Sequence, residues 1–300
     1  MDHYKVGVVQ STPVFFDLPA SLQKIEAIIA QQAAAGVKLL LFPESYLPGY
    51  PRGFDFGAVI GQRLPAGRAA WLAFWENSVP VPGTITQQLA TWAKNYELFL
   101  VMGVTERDEL NGSLYCTLLY FDPVQGLIGK HRKLKATGTE RLVWAEGNAE
   151  DLQVFPTELG RLGGLICWEN LMPLARMALY QQGIQVYLAP TADARPTWIP
   201  ILQHIAQEGR CYVLGANQYF RRTDYPAPWR ELVQLDHEDL CRGGSAIISP
   251  LGEIIAGPLW DAEGVLTADL SLDEVVKSRL DFAPAGHYHR PDLFEFRVKT

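Results

Sequence analysis

Cysteine is scarce in this chain. The four thiols, Cys116, Cys167, Cys211 and Cys241, lie far apart and none belongs to a CxxC pair. That excludes a disulfide framework and the common zinc spacings, and it suits a reducing compartment, so a cytoplasmic location is expected. Long apolar runs are missing too, since none approaches the ~20 residues that a membrane span needs. Met1-Asp2-His3-Tyr4 leads directly into a strand-like pattern, so no signal peptide is expected. Positive charge is in deficit. The net charge is -7, and beyond Lys130-His131-Arg132-Lys133 there is no basic run, which argues against nucleic acid and membrane surfaces as partners. Linkers, low-complexity stretches and internal repeats are absent as well.

What is present is ordinary in amount and ordered in pattern. With 300 residues, 48% of them hydrophobic and 20% charged, the chain can bury about three quarters of its unfolded surface around a full core. Tyr4–Gln10 reads as a buried strand. Asp17 caps a helix with Pro19 in its first turn, and Leu18, Leu22, Ile25, Ile28 and Ile29 share one face before Gly36 ends it. A second apolar strand over 37–42 completes a crossover unit, which implies parallel neighbours. Helical patterns over 66–78 and 84–95 follow. Strand-like runs at 98–106 and 114–122 are joined through the turn former Asn111-Gly112, a hairpin signal. Segments 152–155 and 162–166 suggest another hairpin. The alternation then resumes, with a helix at 171–182, a strand at 186–189, a helix at 198–209 and a strand at 212–217. Three short strands between 244 and 270 and a helix near 272–280 precede the tail. The expected architecture is one α/β domain over residues 1–300, a mixed sheet system covered by helices.

Three reactive polar groups share one situation. Glu44 follows the strand at 37–42, Lys133 follows the strand near 127–129, and Cys167 follows the run at 162–166. Strand ends in α/β sheets are where ligand sites are built, because loops converge there over a rigid core. A thiol, a carboxylate and an amine in one pocket supply a nucleophile, a base and a cation for a developing anion. Cys167 by itself does not carry this conclusion, because an isolated cysteine most often acts as a small buried hydrophobe. Its place on a strand-to-helix elbow, near the N-terminus of a helix beginning at Leu171, is expected to lower its pKa. Cys116 and Cys211 read as core filler. His287 and His289 lack a third ligand, so a tail contact is expected there and no metal site.

Phe42-Pro43-Glu44, His131-Arg132-Lys133-Leu134 and Ile166-Cys167-Trp168-Glu169-Asn170 resemble the three signature segments of the nitrilase superfamily of carbon–nitrogen hydrolases. Leu47-Pro48-Gly49-Tyr50-Pro51, Glu140-Arg141 ahead of Trp144, and segments 189–193, 204–210 and 286–292 resemble its nitrilase branch in particular. The likeness therefore spans nearly the whole chain. It implies an α-β-β-α sandwich and a Cys-Glu-Lys triad that needs no cofactor. In that triad Cys167 is the nucleophile, Glu44 the base, and Lys133 the donor to the developing anion, with the backbone N–H of Trp168 as a second donor. Glu140 is implied as a fourth member that orients the lysine. Lys133 is expected to be held charged by its neighbouring acids and to keep those carboxylates ionised in turn. Lys135, the competing lysine, is expected on the other face of the segment. Tyr50, Trp144 and Trp168 are the expected substrate-binding walls, since a nitrile is a weak hydrogen-bond acceptor and suits apolar surroundings. Ala136 and Thr139 depart from the commonest pattern of the branch and lie beside the triad.

The implied activity is hydrolysis of a small-molecule organic nitrile to its carboxylic acid and ammonia, through a covalent thioimidate and an acyl-thioester. An aliphatic amidase or a cyanide-hydrolysing enzyme would use the same triad on another electrophile. Trp168, Asn170 and the segment 189–193 favour the nitrilase. A non-catalytic scaffold has no need of Glu44, Lys133 and Cys167 together, and a redox sensor lacks a resolving cysteine near Cys167. The resemblance also implies a homodimer or higher homo-oligomer. Its contacts would run through the helices after Cys167 and near Trp198–Gly209, with the tail 283–300 at the subunit interface.

Overall fold

Alternation along the strand Val37–Leu41 sets the layers of the molecule. Leu39 and Leu41 face a core shared with a second sheet, whereas Leu40 and the following Phe42 face a separate core under helices. A side-chain period of two requires this division. The computed structural model describes residues 3–299, so Met1, Asp2 and Thr300, on which parts of the leader and tail expectations rest, lie outside the described residues.

The first sheet runs in the order Gly264–Leu270, Tyr4–Gln10, Val37–Leu41, Phe99–Arg107, Leu114–Asp122 and Gly126–Arg132, with Val79–Pro80 also paired to Phe99–Arg107. Tyr4–Gln10, Val37–Leu41 and Phe99–Arg107 are parallel. The helices Leu18–Ala34 and Thr84–Asn95 that connect them pack on the outer face. Asp17 does cap the first of these, accepting the Ala20 N–H at 3.0 Å. The second sheet runs Tyr219–Arg221, Asp239–Ile248, Tyr212–Gly215, Val186–Leu188, Gly160–Gly164 and Phe155–Thr157, with Ile254–Trp260 also paired to Asp239–Ile248. Helices Pro173–Gln181 and Trp198–Gly209 cover its outer face.

Between the sheets Val6, Val8, Leu41, Val101 and Leu118 meet Leu162, Val186, Leu188, Leu214 and Ile247. Each such side chain contributes roughly 1.5–3 kcal/mol by leaving water, so this layer dominates the attraction between the sheets. The architecture is the expected α-β-β-α sandwich. Some boundaries differ from the sequence reading. The second hairpin pairs Phe155–Thr157 with Gly160–Gly164, because Gly160 adopts φ +102° and turns the chain earlier than the apolar pattern suggests. Cys167–Leu171 forms a 3-10 turn, and the α-helix starts at Pro173, where the missing N–H of proline is no loss. Among the described residues no helix is long and apolar enough to cross a membrane. Nor does any group of three His, Cys, Asp or Glu residues among them have the spacing to hold a metal ion.

Candidate active site

Five strands deliver residues to one place, each from its C-terminal end. Val37–Leu41 leads to Glu44, and Gly126–Arg132 to Lys133. Gly160–Gly164 leads to Cys167, Val186–Leu188 to Thr191, and Tyr212–Gly215 to Asn217 and Gln218. The first two belong to one sheet and the other three to the other, so the site lies on the seam between them.

Cys167 sits at φ +52°, a left-handed conformation that costs a non-glycine residue about 1–3 kcal/mol and needs restraint from its surroundings. The restraint is explicit. The Cys167 N–H donates to the Pro190 carbonyl at 2.8 Å. The Asn170 amide donates to the carbonyls of Leu165 and Cys167 at 2.9 and 2.8 Å, and its own oxygen accepts from Tyr187 at 2.8 Å. Asn170 is therefore the clamp that keeps the elbow bent. The Thr191 hydroxyl reaches the Cys167 sulfur at 3.1 Å.

Strand alternation sorts the basic run 130–133. Lys130 and Arg132 turn to the buried carboxylate of Glu106, each with a 2.6 Å contact. His131 and Lys133 face inward. Lys133 is 1% exposed, and its ammonium donates to Glu44 Oε1 and Glu140 Oε2, both at 2.7 Å. Glu140 is also held by the Tyr50 hydroxyl at 2.6 Å and the Thr137 N–H at 2.7 Å. Glu44 keeps its second oxygen, Oε2, buried and without a hydrogen-bond partner. Its position is fixed from below by Gly103, where a Cβ would meet the Pro43 carbonyl oxygen at 1.9 Å, and from the second sheet by Gln218, which donates to the Glu44 carbonyl at 2.5 Å. Lys135 is exposed and pairs with Glu146. Alternation is not the reason, because residues two apart share a face; the strand ends at Arg132 and the chain turns away.

A cavity of about 380 Å³ opens above Cys167, lined by Tyr50, Glu140, Trp168 and Thr139 among others. Tyr50 and Trp168 are thus both at the cavity. Trp168 is 41% exposed, and its indole N–H donates to Asp193 at 2.9 Å. Trp144 lies elsewhere. It lines an adjoining cavity of about 400 Å³, packs on Tyr50 with ring centroids 5.6 Å apart, and donates to Thr105 at 3.2 Å. Of the two departures from the branch pattern, Ala136 is buried in the inter-sheet core, and Thr139 borders both cavities. Ala136 thus touches packing, whereas Thr139 touches the space open to a ligand.

Burial governs the charges here. It pushes the Cys167 thiol up, with the carboxylate of Glu44 adding to the rise and Lys133 opposing it. The lowered thiol expected from a helix dipole is therefore corrected: the α-helix begins only at Pro173, and the sulfur is enclosed at 5% exposure. Burial likewise raises Glu44 above the ordinary carboxylate range, and the pull of Lys133 only partly offsets it. The expectation that the lysine would hold this carboxylate fully ionised is too simple. Lys133 is held well above its ordinary value: burial works against its charge, but Glu44 leads a set of anionic neighbours that outweigh it. A cation that stays charged, beside a carboxyl raised toward neutrality and a thiol slow to ionise alone, is equipped to pass one proton at a time.

The carbon–nitrogen hydrolase profile matches residues 5–279. The chain belongs to that family. A nitrilase of Bradyrhizobium diazoefficiens is 47% identical to this carbon–nitrogen hydrolase over 98% of the chain and 92% of its own length. An aliphatic nitrilase of Sinorhizobium fredii is 45% identical over 99% and 96%, and a bifunctional nitrilase/nitrile hydratase of Nicotiana tabacum is 45% identical over 98% and 86%. These relatives place the hydrolase in the nitrilase branch. In shape it is similar to the crystal structure of a carbon–nitrogen hydrolase from Helicobacter pylori, with a TM-score of 0.77 at 16% identity over 97% and 96% of the two chains. It is also similar to a nitrilase-superfamily member of Saccharomyces cerevisiae, with a TM-score of 0.74 at 20% identity over 96% and 97%. At such identities the likeness is one of fold.

Several residues of this hydrolase's site escaped the sequence reading. Cys116, read as core filler, is buried in the inter-sheet core, but its sulfur also lies 3.5 Å from Glu44 Oε1. Glu169 is a buried brace. Its Oε2 accepts the Ile166 N–H at 2.8 Å and faces His131 Nε2 at 3.0 Å, while its Oε1 accepts the Leu134 N–H. One carboxylate thereby ties the residue before the cysteine to the residue after the lysine. The alternation in 130–133 was the available signal, since it places His131 on the same face as Lys133.

Proposed function

We propose that this hydrolase converts an organic nitrile to its carboxylic acid and ammonia, with Cys167 as nucleophile, Glu44 as base and Lys133 as the cation for the developing anion. The observation that carries this is the Lys133 ammonium, bridging Glu44 and Glu140 at 2.7 Å each, with Glu140 lining the same cavity as Cys167. Glu44 Oε2, which has no partner, is free to take the thiol proton. The sulfur then attacks the nitrile carbon, and the nitrogen receives a proton to give a thioimidate. Water adds to that carbon, activated by Glu44, and collapse with loss of ammonia leaves an acyl-thioester. A second water releases the acid and returns the thiol. Lys133 and the backbone N–H of Trp168 stabilise the anionic stages, where donors fixed in a dry site act most strongly. Glu140, tied down by Tyr50 and Thr137, holds the ammonium in place. Tyr50 and Trp168 are the walls against which the substrate lies, and Trp144 supports Tyr50 from behind. Collapse that expels the sulfur instead of ammonia gives the amide, the product of the nitrile hydratase activity for which the Nicotiana relative is named.

Ammonia and product acid measured over a panel of aliphatic, aryl and arylacetic nitriles, their amides and cyanide test this reading. The wild type should turn over nitriles, and Cys167→Ala should lose at least about 10⁴-fold. Turnover of amides alone, or full activity in Cys167→Ala, would defeat it.

The assembly follows from the same reading. We infer a homodimer or larger homo-oligomer in which the tail after residue 283 crosses between subunits. Its support is the exposure of Leu280, Tyr288, Leu293 and Phe294, apolar groups that one chain leaves in water. Light scattering should give at least twice the chain mass, and removal of the residues after Phe282 should lower it. A monomer with full activity would end this assignment.

A further inference from the structure

We propose that Thr191 is a further catalytic residue, whose hydroxyl donates to the Cys167 sulfur and stabilises the negative charge that gathers there as the thiol proton leaves. The direction of the bond is readable. Thr191 Oγ1 accepts the Asp193 N–H at 2.9 Å, and its one remaining proton faces Cys167 Sγ at 3.1 Å. Nothing loosens this geometry. The Thr191 backbone N–H donates to the Ala216 carbonyl at 2.8 Å, the side chain is 1% exposed, and a β-branched residue keeps its rotamer. The loop beyond it is pinned as well, because Asp193 accepts from Trp168 at 2.9 Å and from Arg195 Nε at 2.8 Å.

The energetic case is one of difference between states. A thiol sulfur is a weak acceptor, and a thiolate is a strong, charge-assisted one. The bond therefore tightens as the proton moves from Cys167 Sγ to the Glu44 carboxylate, and slackens once the sulfur lone pair forms the bond to carbon. Interactions stronger in the transition state than in the resting enzyme are those that accelerate the reaction. The other charged groups acting on the sulfur are divided: Glu44 and Glu140 oppose a thiolate, while Lys133, Arg52 and Arg195 favour it, and the neutral Tyr50 phenol takes no side. Lys133 already gives donors to two carboxylates. Thr191 is the donor bound to the sulfur itself.

This rests on Cys167 as the nucleophile, and its test is separable from nitrile turnover. The rate of Cys167 alkylation by iodoacetamide, located by peptide mass mapping across a pH series, is compared for wild type, Thr191→Val and Thr191→Ser. Thr191→Val should lower the alkylation rate about 10-fold or more at each pH of the series and lower kcat/KM about 10- to 100-fold, the range for losing a hydrogen bond to a charged group. Thr191→Ser, which keeps the hydroxyl, should restore most of both. A Thr191→Val profile that overlays the wild type, or a Thr191→Ser loss as large as that of Thr191→Val, overturns the proposal. Should Thr191→Val fail to fold, Thr191→Ala against Thr191→Ser makes the same comparison. If the wild type hydrolyses no nitrile, the proposed reaction falls, while the alkylation series still decides the role of Thr191.

Discussion

Lys133→Met is expected to lose at least about 10⁴-fold in kcat/KM and to destabilise the protein by about 3–5 kcal/mol. The stability cost follows from taking one partner out of a buried ion cluster, which leaves Glu44 and Glu140 without their shared cation. Part of it will be relieved by protonation, because burial already lifts Glu44 above the ordinary carboxylate range and only Lys133 pulls strongly the other way. That relief is what disables catalysis. A protonated Glu44 cannot take the thiol proton, so the general-base contribution of about 10²–10⁴ disappears together with an anion donor worth about 10²–10³. The double variant Lys133→Met with Glu44→Gln should recover much of the lost thermal stability and none of the turnover. Denaturant melts and ammonia assays on the two variants decide the matter. A double variant as unstable as the single one would show that lost charge balance is not the cause.

Glu169→Gln should cost about 3–5 kcal/mol and reduce kcat more than it changes KM. Three donors converge on the two oxygens of Glu169, from Ile166, Leu134 and His131. A glutamine has one acceptor oxygen and turns an NH₂ toward a backbone N–H, leaving buried donors unmet. His131 makes this exchange worse. Its Nδ1 faces the Asp151 carbonyl and its Nε2 faces the carboxylate, both at 3.0 Å, so both nitrogens carry protons and the ring is an imidazolium. Burial opposes that charge, but Glu169 outweighs it and the His131 pKa is raised. The sign then follows by linkage. A raised folded-state pKa adds stability that is complete below the unfolded value of about 6.5 and is lost as pH climbs through the folded value. Wild-type stability should therefore decline on the alkaline side of about pH 6.5, and His131→Gln should flatten that decline. Chemical denaturation at several pH values reads both effects, and identical slopes in the two proteins would contradict the charged brace.

Much of this was open to inspection in the sequence because it depends on local rules. The capped helix after Asp17, the hairpin around Asn111-Gly112 and the strand–helix alternation of the second half are set by nearby residues, and the structure has them. Motif resemblance grouped Glu44, Lys133, Glu140 and Cys167, and in the structure the Lys133 ammonium meets Glu44 across 89 residues of separation and Glu140 across seven. What local rules could not give was environment. Proximity to a helix start suggested an acidic thiol, but the depth of Cys167 depends on two sheets meeting over it. Cys116 looked like any buried cysteine, since nothing nearby shows that Glu44 will come to rest on it. Strands of two or three residues, such as Ala58–Val59 and Tyr219–Arg221, are too short to show a period and exist through their partners.

The seam location of the site has a consequence for the life of the chain before it is folded. The acid and amine come from one half of the sequence and the thiol and its hydroxyl neighbour from the other, and Glu169 locks the halves together. A full chain whose two sheets have not yet met carries these groups apart. On the proposed mechanism turnover requires both sheets to be joined, which makes activity itself a gauge of how many molecules have closed.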